Sequence, residues 1–232
     1  RPHPRVVVLS AGPDLVEPGQ PLKNASDEYE TNSWLLTTAV REVGAVAYRV
    51  HSIPDDEAQL QKVIEDQLVR ADLIIISGER NDDSFDLISR TLAGLGAITT
   101  VDLAIEASGR HNFGTIGPDK TPVVTLPGDP ISAYISFELF VRPMIRTMLG
   151  AATIHRPSVK AALEKPIESA PGMRSYIRGI LADDGKSVTP LANQDEQSTL
   201  SDANAFIAIS ETETALKTGD QVTVVVLERR YI

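Results

Sequence analysis

The chain contains no cysteine and only four histidines, and these shortages remove a good deal of chemistry at once. Without cysteine there is no disulfide, no thiolate nucleophile and no cysteine-based zinc site. His3, His51, His111 and His155 lie far apart and none sits at a metal-ligand spacing, which argues against a histidine metal site. Positive charge is also scarce. The net charge of −10 argues against non-specific nucleic-acid binding, which needs a basic footprint, and it disfavours a polyanionic ligand wherever the site is not locally basic. No apolar run approaches the roughly 20 residues of a membrane span, so no membrane insertion is expected. No basic-then-apolar leader opens the sequence, so the expectation is no export signal and a cytoplasmic location.

What is present is an ordinary globular composition. A hydrophobic content of 42% over 232 residues can form one large core or two modest ones. The first 150 residues alternate strand and helix. Residues 5–10 read as a continuous apolar strand, and 11–31, with Pro18, Gly19 and Pro21, as a loop. Thr31 or Asn32 can cap a helix that runs to Val43 and ends at Gly44. Residues 46–50 form the next strand. Pro54-Asp55-Asp56 opens a helix whose Leu60, Val63, Ile64 and Leu68 make one apolar stripe. Further strands are expected at 73–77, 98–103 and 123–126, and a helix at 84–93. Pro127-Gly128-Asp129-Pro130 leads into a long apolar helix to Leu149, which Pro143 should kink. This pattern predicts an α/β domain over 1–150 with a doubly wound, mostly parallel sheet. From 151 to 232 short alternating segments take over, at 176–181, 187–191, 205–209 and 221–227, with Asp183-Asp184-Gly185-Lys186 as a hairpin turn. They predict a small all-β, barrel-like domain.

The most informative segment follows the strand at 73–77. Ser77-Gly78 runs into Glu79-Arg80-Asn81-Asp82-Asp83-Ser84-Phe85-Asp86. A strand-loop-helix junction in an open α/β sheet usually receives an anionic ligand, because small residues let backbone N–H groups approach it. This junction keeps one glycine and carries four carboxylates instead, each costing a nearby anion on the order of 1 kcal/mol. Asp82, Asp83 and Asp86 could instead hold a hard cation, or simply cap and complement the helix that follows.

Several strings in a fixed order resemble the MoeA family and the E domain of gephyrin. They include Ser10-Ala11-Gly12-Pro13-Asp14-Leu15, Tyr29-Glu30-Thr31-Asn32-Ser33, Leu126-Pro127-Gly128-Asp129-Pro130, Ser136-Phe137-Glu138-Leu139-Phe140-Val141-Arg142-Pro143, and Gln197-Ser198 with Ala203-Asn204-Ala205. The resemblance implies that 1–150 corresponds to the family's MogA-like third domain and 151–232 to its β-rich fourth domain. It also implies two further lobes that this sequence does not cover, so that the chain is a fragment or a natural truncation.

Against the family pattern Ser-Gly-Gly-Val-Ser-x-Gly-Asp-Tyr-Asp, Ser77, Gly78 and Asp86 are kept, while Glu79 and Asp83 replace glycines and Ser84 an aspartate. The family's Pro-Gly-Lys-Pro falls at Ala107-Ser108-Gly109-Arg110, with Arg110 one position from the lysine. Glu30 stands for a shorter aspartate, and Ala11 and Pro13 replace a threonine and an acid. Ser10, Gly12, Ser77, Gly78, Gly128 and Asp129 are then the remains of pterin- and phosphate-facing loops.

Two functions follow from the resemblance. Erosion at four loops points to a non-catalytic, gephyrin-like scaffold that needs no cofactor and binds a short segment of a partner protein, such as the tail of the cell-division protein FtsZ. Its contacts would be Pro127, Phe206, Ile209, Ser210, Glu211, Thr212 and Ala215 in a groove between the two domains. The alternative is a molybdopterin molybdenumtransferase acting with Mg²⁺ and adenylylated molybdopterin, with Asp14, Glu30, Asp86 and Ser198 as its polar groups. Either would be homodimeric by resemblance.

Overall fold

The computed structural model describes residues 2–12, 14–53, 56–78 and 82–227. They divide into two compact units, one taking in the chain to Leu103 together with Arg110–Ile154, the other Ala104–Gly109 and the chain from His155 onward.

The first unit is a six-stranded sheet with helices on both faces. Its strands are β1 (Arg5–Ala11), β4 (Val46–Ile53), β5 (Leu73–Ser77), β6 (Gly96–Leu103), β7 (Gly109–Ile116) and β8 (Thr121–Leu126), in the order β4-β1-β5-β8-β7-β6. β4, β1, β5 and β8 are parallel neighbours, and β7 runs antiparallel to β8. The period of two explains the two cores. Val6, Val8, Leu73, Ile75, Val124 and Leu126 face one way, toward α1 (Asn32–Val43) and the helical segment that follows β8. Val7, Leu9, Ile74, Ile76 and Val123 face the other way, toward α2 (Glu57–Leu68) and α3 (Asp82–Leu95). Strands buried on both faces have to be apolar throughout, as the Leu73–Ile76 run is.

Local chemistry accounts for the element ends. Asp56 caps α2 by accepting from the N–H groups of Ala58 and Gln59, whereas Pro54 and Asp55, expected at the same helix start, lie outside the described residues. α3 begins at Asp82, two residues before the expected start. The 11–31 stretch is not all loop: β2 (Leu15–Val16) and β3 (Glu28–Tyr29) form a short parallel pair.

The segment after β8 is α4 (Pro130–Ser136), a π-turn at Phe137–Val141 and α5 (Arg142–Met148). The Arg142 N–H reaches back five residues to the Phe137 carbonyl. Proline lacks an N–H, and its ring crowds the carbonyl four residues back. A widened turn immediately before Pro143 accommodates both.

β7 was not expected. Its sequence, Gly109-Arg110-His111-Asn112-Phe113-Gly114-Thr115-Ile116, has no apolar run, because its interior positions are polar and internally satisfied. His111 Nδ1 lies 2.9 Å from the Thr125 carbonyl. The Asn112 backbone N–H donates to the Thr125 hydroxyl at 2.7 Å, while its side-chain amide donates to the Ser89 hydroxyl at 2.8 Å and accepts from the Thr100 hydroxyl at 2.6 Å. A side chain at Gly114 would place its Cβ 2.1 Å from the Ala97 carbonyl, so glycine is required where β6 passes.

The second unit is a closed barrel of β9 (Ser158–Leu163), β11 (Ser175–Leu181), β12 (Ser187–Pro190), β13 (Ala205–Ile209) and β15 (Gln221–Val226), in the order β11-β12-β9-β15-β13. β10 (Ile167–Glu168) and β14 (Ala215–Leu216) pair beside it, and α6 (Thr199–Asp202) is a single turn. Val222, Val224 and Val226 share the buried face, and the turn at Gly185 joins β11 to β12 as expected. The 104–109 segment belongs to this unit. Ile105 bridges Arg174, the Glu106 N–H donates to the Arg174 carbonyl at 2.9 Å, and the Ser175 hydroxyl donates to the Glu106 carboxylate. No described helix is long and apolar enough to cross a membrane.

Candidate functional site

Strand order in the sheet reverses direction between β1 and β5: the chain steps outward from β1 to β4, then returns to the other side of β1 as β5. The crevice at the carboxyl ends of strands at such a switch point is where open α/β sheets bind ligands. Ser10 and Gly12 lie at the end of β1, Ser77 and Gly78 at the end of β5, and Pro127, Gly128 and Asp129 at the end of β8. The structure gathers these residues with Glu30 and Asn32 at one edge.

Glu30 is the electrostatic centre of that edge. It is 1% exposed, and its carboxylate accepts from the Ser10 hydroxyl at 2.6 Å, the Ser33 N–H at 2.7 Å, the Ser33 hydroxyl, and Arg49 Nη2 at 3.1 Å. The helix start is therefore not capped by Thr31 or Asn32. Thr31 makes no capping bond, and the Glu30 carboxylate occupies the amino end of α1, where the helix dipole favours a negative group. Arg49, projecting from β4, also donates from Nε to the Ser33 hydroxyl at 2.6 Å and pairs with Glu17. Its guanidinium lies 4.1 Å over the Trp34 ring. Composition alone does not pick out Arg49, but an arginine interrupting the apolar strand Val46-Ala47-Tyr48-Arg49-Val50 is the available signal.

Asn32 is a cross-link. Its Nδ2 donates to the Ser77 hydroxyl at 2.8 Å and to the Gly128 carbonyl at 2.7 Å, and the Ser77 hydroxyl donates to the Pro127 carbonyl at 3.1 Å. These partners fix the amide orientation, since a flipped amide would set oxygen against the Gly128 carbonyl oxygen. Asn32 is 6% exposed, and its Oδ1 is buried with no hydrogen-bond partner. Gly78 packs tightly: a Cβ there would come within 3.0 Å of the Ser84 hydroxyl, which itself donates to the Ala11 carbonyl at 3.2 Å.

Asp129 caps α4, accepting from the Ser132 N–H at 2.9 Å and the Ser132 hydroxyl at 2.8 Å. Asp14 is half-buried, and its carbonyl accepts from the Glu28 N–H. Glu79, Arg80, Asn81 and the side chain of Asp82 lie outside the described residues. Asp83 sits in the first turn of α3 and Asp86 in the second, where Asp86 pairs with Arg110 at 3.4 Å while Arg110 stacks over Phe85. Among the described residues no group of three or more histidine, aspartate or glutamate side chains could hold a metal ion.

In the barrel unit Ser198 is exposed and its hydroxyl lies 3.4 Å from the Glu196 carboxylate. Phe206 and Ile209 are each 1% exposed. Ser210 is half-buried, Glu211 and Thr212 are exposed in the turn that follows it, and Ala215 is also exposed. Glu211 pairs with Arg174 at 3.1 Å, and its carboxyl is held below the ordinary range by a backbone hydrogen bond and by that arginine.

A model of the probable molybdopterin binding domain matches residues 7–147, and one of the MoeA C-terminal region, domain IV, matches 160–227. Two curated relatives from Mycobacterium tuberculosis, molybdopterin molybdenumtransferases 1 and 2, are 32% and 33% identical over 235 and 232 residues, covering 97% and 96% of this chain. The molybdopterin molybdenumtransferase of Haemophilus influenzae is 26% identical over 95% of the chain. This chain spans about half the length of these relatives, 55%, 56% and 55% in turn. A crystal structure of the molybdopterin biosynthesis MoeA protein from Pyrococcus horikoshii superposes with a TM-score of 0.82 at 28% identity, covering 97% of this chain and 55% of that one. A MogA-like α/β unit followed by a domain-IV barrel, matched in that order along nearly the whole chain, makes this protein a member of the MoeA family.

Proposed function

We propose that this chain forms the pterin-binding part of a molybdopterin molybdenumtransferase, acting in molybdenum cofactor biosynthesis. The observation that carries the reading is the alignment of two transferases over 96–97% of the chain with one third of positions identical. The crevice at the β1/β5 switch point supports it, being where a doubly wound sheet receives a nucleotide-like ligand. Mg²⁺ is implied by the family reading, but the described carboxylates do not fit a cation site: Asp86 is engaged with Arg110, Glu30 with Arg49, and Asp129 with Ser132. Among the chain's own groups, Ser77, Asn32 and the Gly128 carbonyl hold the edges of β5 and β8 together, and Arg49 and Glu30 fix the start of α1.

A peptide-binding scaffold is less well supported. The relatives above carry the transferase name, and Phe206 and Ile209, two of its expected contacts, present no surface. Calorimetric titration separates the readings. Saturable binding of molybdopterin supports the transferase reading. Micromolar binding of an FtsZ tail peptide with no molybdopterin binding would overturn it. The family's homodimer is carried as part of this proposal and is read by light scattering.

A further inference from the structure

We infer that the β1/β5 edge receives the neutral, N–H-bearing pteridine ring of the ligand and refuses its phosphate. This rests on the pterin-binding reading above and goes further by assigning which end of the ligand docks here.

Two independent observations carry it. The first is that the amino ends of the helices leaving this edge already hold the chain's own carboxylates. Glu30 fills the end of α1 with four donors around it, Asp129 fills the end of α4, and Asp83 stands in the first turn of α3. A phosphate would have to displace a buried, ion-paired glutamate or share its space with like charge.

The second is Asn32 Oδ1. It is a buried acceptor at the carboxyl edge of β5 and β8, with no partner and with its orientation locked through Nδ2. A buried acceptor left unpaired costs stability, and what satisfies it is a donor. The ligand's phosphate is an ester, and an ester phosphate dianion offers no proton to donate. The pteridine ring offers its N3–H and 2-amino group.

The test is calorimetry on the unaltered chain with three probes: pterin, a pterin methylated at N3 and on the 2-amino group, and methyl phosphate, whose dianion has no proton to donate. Pterin should bind, methylation should weaken it by about 10²-fold or more because the site's acceptor is again unpaired, and methyl phosphate should not compete. In Asn32→Ala the two pteridines should bind alike. If that variant fails to fold by circular dichroism, the comparison on the unaltered chain still decides. Equal binding of the methylated probe, or displacement of pterin by methyl phosphate, would overturn this inference and leave the pterin-binding reading standing. Absence of any pterin binding would overturn both.

Discussion

Replacing Glu30 by glutamine is the sharpest test of the network at the head of α1. The carboxylate accepts four hydrogen bonds, one of them from a guanidinium whose side chain is only 12% exposed. Glutamine keeps the shape and one acceptor oxygen, but sets an amide N–H₂ among donors. The Ser33 hydroxyl can turn to accept, whereas Arg49 cannot. Breaking a buried pair by removing one partner costs about 3–5 kcal/mol. Arg49 keeps Glu17, whose side chain is 30% exposed, and the glutamine retains part of the hydrogen bonding, so the loss should be about 2–3 kcal/mol. The assay is denaturant unfolding followed by the fluorescence of Trp34, the single tryptophan, which stacks on Arg49 and so reports on the α/β unit. The midpoint should fall with the slope unchanged. A double-mutant cycle with Arg49→Met should return a coupling of about 1 kcal/mol or more. A loss below about 0.5 kcal/mol, or strict additivity in the cycle, would refute the claim that this carboxylate is a resident anion held by its neighbours.

Three other outcomes are expected. Phe137→Ala, at a fully buried position of the π-turn, should destabilise the α/β unit by about 3–5 kcal/mol in the same unfolding assay. Asp129→Ala removes the cap of α4 and should cost about 1 kcal/mol. Burial holds the His111 imidazole below its ordinary value, against the opposing pull of the Thr125 carbonyl. The native state therefore binds fewer protons than the unfolded one as pH falls below about 6.5, and stability should drop there by up to about 1.4 kcal/mol per pH unit. Asp27 and Asp72, held low by backbone donors and by Arg5 respectively, lose their contributions only at lower pH. A His111→Leu variant should therefore flatten the melting profile between pH 5 and 6.5, whatever its own cost, in thermal melts compared across that interval.

The two fold classes were legible because periodicity is a local property. Leu73-Ile74-Ile75-Ile76 is short, rich in β-branched residues and closed by Ser77-Gly78, which favours a strand covered on both faces, and Val222, Val224 and Val226 alternate as one side of a sheet does. β7 was not legible, because its buried polar residues are explained by Thr125, Ser89 and Thr100, partners that no local window contains. β2 and β3 are two residues each and leave no period to read. Asn32 looks like a helix-start residue in sequence, and Glu30 like a carboxylate of the ligand-facing loops. Asn32 bonds to Ser77, 45 residues away, and Glu30 adds to its local bonds with Ser33 an arginine 19 residues away, so the network they join is a tertiary fact. Pro143 signalled a break that the upstream π-turn absorbs.

The most direct measurement is a crystal structure of the chain with a pterin that carries a phosphate ester on its side chain. The pteridine ring should lie within hydrogen-bond distance of Asn32 Oδ1, with Glu30 still on Arg49 and Ser33. Phosphate density seated on the Ser33 N–H, with the Glu30 carboxylate swung away, would contradict it.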